Sequence, residues 1–195
     1  MNKQVWIEKA LGLGIQEFEI YQSTTVEKEM TWFQGQMDTL VSSKVTGTSI
    51  RGIVDGKMAN MALEEIDDSM CETVLKSLIE QAHIISNEET DSLRKPEPIE
   101  YVKKDVTWNM ASTEYVKDIL QSLEAKILAY DPRVIQVGYL GYSQGSGSRS
   151  IVNSLGMDVQ DADEMQYIVA SVVVKEEEEV KDASLVEVVY DFDQY

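Results

Sequence analysis

The chain has 195 residues, 43% of them hydrophobic, with 17 basic and 35 acidic side chains and a net charge of −18. That charge repels phosphate and argues against nucleic acid or an anionic membrane as partner. A single cysteine excludes an internal disulfide and fits a reducing, cytoplasmic compartment; Glu8 and Lys9 interrupt any signal peptide, and no run reaches the ~20 apolar residues of a membrane span.

Residues 3–13 predict a short helix, with Trp6, Ile7, Ala10 and Leu11 on one side and Gly12 and Gly14 ending it. EFEIYQSTTVEKEMTWF, from Glu17, is rich in β-branched and aromatic residues and predicts one long strand or two short ones. A turn follows at Gly35, and TLVSSKVTGTSIRGIV alternates with a break near Gly47. Asp55-Gly56 is a strong hairpin signal, because a type I′ turn needs positive φ at both central residues. KMANMAL is then the return strand, so residues 17–63 predict an antiparallel meander of about four strands. Ser69 and Glu72 have capping-box spacing, and Val74, Leu75, Leu78, Ile79, Ala82 and Ile85 form an amphipathic stripe behind them.

SNEETDSLRKPEPIE, residues 86–100, reads as a polar connector and hinge. A second helix is expected over about 113–130, with Val116, Ile119, Leu120, Leu123 and Ile127 at helical spacing and Asp131-Pro132 ending it. Four or five strands follow: VIQVGYLGY, SRSIVN with a turn at 154–156, the apolar MQYIVASVVVK, and SLVEVVYDF after a charged turn. The class is α+β: an antiparallel β-meander lobe, two amphipathic helices and a second antiparallel β lobe. Residues 1–195 read as one domain, with possible sub-lobes 1–90 and 100–195.

GYSQG at 141–145 fits the G-x-S-x-G pattern of a nucleophile elbow. A serine hydroxyl needs a base, and the one histidine, His83, precedes Ser143 where the elbow's order requires it to follow. No helix follows the pattern either, so the stretch is expected to be a flexible loop between strands. Cys71 and His83 fall on one predicted helix, twelve residues or ~18 Å apart, too far for a thiol–imidazole pair. Cys71 is expected to be semi-buried and His83 a boundary residue. One His and one Cys on a single helix cannot build a zinc site, and 158–164 lacks the Gly and Glu of an EF-hand loop. No catalytic, metal or cofactor residue is assigned. Trp6, Trp32 and Trp108 are expected in core or interface. Arg51, a lone cation in the apolar strand SIRGIV, is expected to face outward, to form an internal salt bridge, or to meet the carboxylate of a peptide or partner.

The order of these elements, with IQEFEIYQSTT, the hairpin strand carrying Arg51, Asp55 and Gly56, the helix ending EQAHIIS, YDPRV at 130–134 and NSLG at 153–156, resembles the N-terminal domain of the TldD/PmbA (TldE) proteins. The match spans nearly the whole chain, and EQAHIISNEETDSL looks closer to the PmbA/TldE branch. Met58-Ala59-Asn60 departs from the family hairpin, which carries a Gly there. The family's H-E-x-x-x-H metal motif lies in a C-terminal half that nothing here matches, which marks the chain as an excised domain or a short relative. The resemblance implies a heterodimeric, zinc-dependent peptidase acting on unfolded peptides. It implies zinc only in a C-terminal half or partner subunit, and a TldD-like or self subunit as partner. This chain would then shape the substrate chamber and supply dimer surface, with Arg51, Asn153 and Ser154 as possible substrate or partner contacts. An autonomous peptide- or protein-binding module is the alternative; an independent enzyme is disfavoured by the missing base, metal ligands and cofactor motif.

Overall fold

A computed structural model describes residues 1–64, 66–86, 90–98 and 108–194. The elements are α1 (Lys3–Gly12), β1 (Glu17–Phe33), β2 (Gln36–Val54), β3 (Lys57–Leu63), α2 (Cys71–Ile84), α3 (Thr113–Tyr130), β4 (Val134–Asn153), β5 (Asp158–Glu176) and β6 (Glu179–Val188). The strands form one antiparallel sheet in the order β3-β2-β1-β4-β5-β6, giving the expected α+β class.

The strands are fewer and longer than expected. Residues 17–63 make three strands, not four, and β2 runs unbroken through Gly47. β4 runs for 20 residues through GYSQGSGSR, so Ser143 lies within a strand and not in a flexible loop. Pairing with β1 on one side and β5 on the other supplies this segment's backbone partners, which outweighs the local turn preference of its Gly and Ser residues. SRSIVN is the end of β4 and not a separate strand, so three strands follow α3.

The turns follow the sequence more closely. Asp55 (φ 48°) and Gly56 (φ 75°) both have positive φ, as a type I′ hairpin requires, and so do Gln34 (φ 50°) and Gly35 (φ 79°) between β1 and β2. α3 starts at Thr113 on a Ser112 cap whose side chain accepts from the Tyr115 N–H, and it stops before Asp131-Pro132. The start of α2 differs: a 3₁₀ turn at Asp68–Met70 precedes it, and the Asp67 carboxylate accepts from both the N–H and the hydroxyl of Ser69. Ser69 is thereby engaged upstream. Glu72 pairs instead with Lys76 and Lys9, so no capping box forms.

The chain divides into two compact units. The first holds Met1–Thr24, Val45–Val102 and Gly147–Ala162; the second holds Thr25–Lys44, Lys103–Ser146 and Asp163–Tyr195. In the first unit Trp6, Ile7 and Ala10 of α1 and Val74, Leu75, Leu78 and Ala82 of α2 enclose Ile15, Phe18, Ile20, Ile50 and Ala59. Leu11, expected on the buried side of α1, is exposed. The Trp6 indole N–H donates to Asp68 at 2.9 Å, tying α1 to the turn before α2. The described part of the 86–100 connector is fastened at two points: the Asp91 N–H donates to the Gly56 carbonyl and Asp91 accepts from the Met58 N–H, and Leu93 is buried with its N–H on Glu17.

In the second unit α3 lays Val116 and Leu120 on Met30, Trp32, Val137, Leu140 and Tyr142, with Val189 and Phe192 closing one side. Glu124 continues the Val116–Leu120 stripe and is buried. Its carboxylate accepts from the Trp32 indole N–H and from the Gly35 N–H, both at 2.8 Å, and so fixes the β1–β2 turn. No described helix is long and apolar enough to cross a membrane.

Candidate functional site

Two places in the molecule gather side chains that can do more than pack. One is polar and lies in the first unit; the other is apolar and lies in the second.

The polar cluster forms around Glu19. β1 alternates, and Phe18 and Ile20 enter the core, so Glu19 faces the other side of the sheet. Its carboxylate is 2% exposed, which would be costly without partners. Arg51, opposite on β2, supplies Nε and Nη2, each 2.6 Å from Oε1. Asn153, at the end of β4, donates from Nδ2 to Oε2 at 3.1 Å and to the Arg94 carbonyl at 2.9 Å. The same amide's Oδ1 accepts the Leu155 and Met157 N–H groups, which shapes the turn into β5. Ser154 completes the cluster: its hydroxyl accepts from the Phe18 N–H at 2.9 Å, and its own N–H donates to the Phe18 carbonyl.

The structure therefore brings Arg51, Asn153 and Ser154 together from β2, the end of β4 and the following turn. Arg51 forms the internal salt bridge that was one of its three sequence readings, and its side chain stays 44% exposed. Sequence reasoning missed Glu19, the acid that joins the cluster. The signal was a carboxylate on a β1 position with apolar neighbours at 18 and 20, next to a strand with a lone arginine. It also missed Glu124, although an acid at i+4 from Leu120 and i+8 from Val116 sits on the apolar stripe of α3.

The apolar feature is a groove of about 770 Å³ along α3. Ile119, Leu123 and Ile127 form its helix wall, Ile168, Ala170 and Val172 of β5 its floor, and Leu185 of β6 its far side. Asp118, Lys126 and Glu187 stand at its rim. α3 covers only part of the apolar surface of β5 and β6, and the groove is what it leaves open.

The other residues singled out in the sequence lie apart from these two features. Cys71 and His83 lie at opposite ends of α2. Cys71 is buried, and burial pushes its thiol above the usual range, which makes it a poor nucleophile. His83 is exposed, with Nε2 3.7 Å from Asp55. Trp6 and Trp32 are core residues, and Trp108 stacks on Tyr190 with ring centroids 4.8 Å apart. Tyr142 lies fully buried with its hydroxyl 2.7 Å from Gln166 Oε1 and 2.8 Å from Gln144 Oε1; burial pushes the phenol up to about 12. The Gln166 amide in turn donates to the Asn109 carbonyl. Among the described residues no group of three or more His, Cys, Asp or Glu side chains could hold a metal ion.

Comparison with known proteins gives these features a context. Residues 18–86 match the model of the PmbA/TldA metallopeptidase domain 1, and residues 107–193 match the PmbA/TldA metallopeptidase central domain. Fold and matches together define the class: the N-terminal region of a PmbA/TldD-type protein. The chain belongs to the PmbA/TldD family.

Solved structures agree on the fold. A Thermotoga maritima protein described as a candidate modulator of a DNA gyrase superposes with a TM-score of 0.84 at 17% identity, covering 99% of this chain and 44% of the other. TldE from Thermococcus kodakarensis gives 0.80 at 18%, covering 97% and 43%. A Bacteroides thetaiotaomicron protein described as a candidate modulator of DNA gyrase gives 0.79 at 18%, covering 97% and 44%. The chain thus spans less than half the length of these proteins. No curated protein matches it.

Proposed function

We propose that this chain is a scaffold of a TldD/PmbA-type peptidase, on the PmbA/TldE side of the family. In this reading it shapes the chamber for an unfolded peptide and supplies dimer surface in the cytoplasm. The chemistry belongs to zinc held in a C-terminal half or in a partner subunit. The observation that carries the reading is the pair of family matches, to domain 1 and to the central domain of a metallopeptidase. The side-chain chemistry supports it. Glu19, Glu124, Asn153 and Gln166 are polar groups buried at structural joints, where their hydrogen bonds hold turns and strand ends. Asn153 and Ser154 serve to position the cluster, and Arg51, still partly exposed, is the member that would meet a peptide carboxylate or an acid of the partner.

The test is a cleavage assay on an unfolded peptide. The purified chain is used alone and mixed with a zinc-bearing PmbA/TldD-family subunit from the same genome. Cleavage is expected only in the mixture. Robust cleavage by the isolated chain overturns the reading, and so does a mixture in which the two neither associate nor change each other's activity.

A second reading, an autonomous module that binds a peptide or protein, is favoured by the open groove along α3. It predicts binding that needs no peptidase subunit.

A further inference from the structure

In the second unit α3 packs on one face of the strands, and the other face carries polar and aromatic side chains that the core does not use. On β1, Met30 and Trp32 enter the core under α3, so Glu27 and Glu29 stand on the opposite face. On β4, Leu140 and Tyr142 belong to that core, so Gly141 and Ser143 turn the other way. On β5, Gln166 meets Tyr142 and Ile168 floors the groove, which puts Tyr167 on the same outer face.

Tyr139 is held on that face at two points. Its hydroxyl donates to Glu29 Oε1 at 3.0 Å. The end of its ring rests on Gly141: a Cβ there would stand 2.6 Å from the hydroxyl oxygen and 2.9 Å from two ring carbons. Gly141 has no positive φ, so the ring, and not the backbone conformation, is what requires glycine. The Tyr139 side chain is nonetheless part of a residue 39% exposed. Partial burial, the Glu29 carboxylate and Tyr167 raise its phenol above the ordinary value, which leaves it a neutral donor beside a charged acid. Glu29 Oε2 and the Glu27 carboxylate have no partner among the described residues, and no described cation pairs with either acid. A fixed ring beside a carboxylate with an open oxygen suits an ammonium or guanidinium group, because the ring face attracts the cation and the oxygen accepts its N–H. A neutral or anionic group gains neither attraction.

We infer that this face seats an extended peptide by a lysine or arginine side chain, held between the Tyr139 ring and the Glu29 carboxylate. This deepens the proposed function by naming the class of peptide the chamber wall selects, and it rests on that reading for the source of the peptide. Charge favours the same occupant over an acidic peptide: the chain carries −18, and Glu27 follows Glu29 on the same face of β1 at ~7 Å along the strand. Ser143 lies on the same face of β4, four residues or ~13 Å from Tyr139, and its hydroxyl has no partner among the described residues. It offers a hydrogen bond to the main chain of a peptide lying along β4. In this reading the serine of the G-x-S-x-G stretch binds and does not attack.

Isothermal titration of the full chain tests this, with circular dichroism to confirm folding of each variant. The probes are a capped peptide of alternating threonine and valine with one central arginine, and the same peptide with citrulline, which keeps the shape and loses the charge. The arginine peptide is expected to bind about tenfold tighter. Glu29→Gln is expected to remove that preference. Gly141→Ala leaves the net charge untouched and displaces only the end of the Tyr139 ring, and it is expected to remove the preference too. Tyr139→Leu, which leaves Gly141 in place, is expected to do the same. Glu114→Gln, in the first turn of α3, removes one charge as Glu29→Gln does and is expected to keep the preference. Equal affinity for the two peptides, or no binding up to about 1 mM, overturns the inference. So does a preference that survives in Gly141→Ala and Tyr139→Leu, or one that Glu114→Gln weakens as much as Glu29→Gln, since net charge alone would then be the cause. An arginine preference in a chain that fails the cleavage test leaves this inference standing and removes the proposed function; cleavage in the mixture with no preference for the arginine peptide does the reverse.

Discussion

The core around Trp6 is covered by two helices, α1 and α2, and its central side chains have almost no solvent exposure; the core around Trp32 is covered by α3 alone and keeps a groove beside it. Both rest on the same kind of surface, a strand face of alternating apolar residues. In the first unit α1 and α2 together supply Trp6, Ile7, Val74, Leu75 and Leu78 to the core. In the second a single amphipathic helix must cover three strands. The difference teaches where the chain is finished and where it is not: the first unit is closed by its own residues, and the second leaves Ile119, Leu123, Ile127 and Leu185 with apolar surface to spare.

The largest test of this contrast is a cavity in the closed core. Leu78 is fully buried between α2 and the sheet, and Leu78→Ala is expected to cost about 2–5 kcal/mol, read as a lowered denaturation midpoint. A cost under about 1 kcal/mol would show that this core is loosely packed.

Next comes pH. The folded Tyr142 phenol is raised from its ordinary value of 10 to about 12, so the unfolded phenol ionises first. Its contribution is present below pH 10 and is lost as pH rises from 10 toward 12, about 2 kcal/mol in all. Tyr142→Phe is expected to flatten the alkaline limb of a melting-temperature profile; an unchanged limb removes Tyr142 as its cause.

The hairpin turns of the two units give a sharper, smaller comparison. Gly56 and Gly35 both have positive φ, but a Cβ on Gly56 would stand 3.1 Å from Thr90 Cγ2, while one on Gly35 would meet nothing within 4 Å. Gly56→Val is expected to cost about 1–3 kcal/mol and Gly35→Val to sit at the lower end of that range. Equal melting temperatures for the two variants would contradict the closeness of Thr90. The smallest effect is expected at the groove: Ile127→Ala removes a side chain that is only partly buried and should cost less than about 1 kcal/mol. A loss comparable to that of Leu78→Ala would mean that the groove is closed in solution.

Much of this was legible in the sequence wherever local chemistry decides. Asp55-Gly56 fixed a turn because few other pairs tolerate positive φ twice, and Ser112 with Asp131-Pro132 bounded α3 at both ends. The misreadings share one cause. Gly and Ser at 141–148 look like a loop to any local rule, yet long-range pairing to β1 and β5 makes them strand. Ser69 was assigned to Glu72, but Asp67, two residues earlier, holds it first. Of the polar cluster, Arg51 was visible as an anomaly and Asn153 and Ser154 through the family resemblance. Glu19 was not visible, because its role exists only once β1 lies beside β2.

Asn153 shows how little freedom such a joint leaves. All four bonding positions of its amide are occupied, two as donor and two as acceptor. Deamidation of this side chain, in which ammonia leaves and water is taken up, would change its mass by a single unit, yet would set a second anion against Glu19 and an oxygen against the Arg94 carbonyl. The backbone nitrogen that such an ageing reaction must recruit, that of Ser154, is already bound to Phe18. The fold thus shields the Asn153 amide from chemical decay.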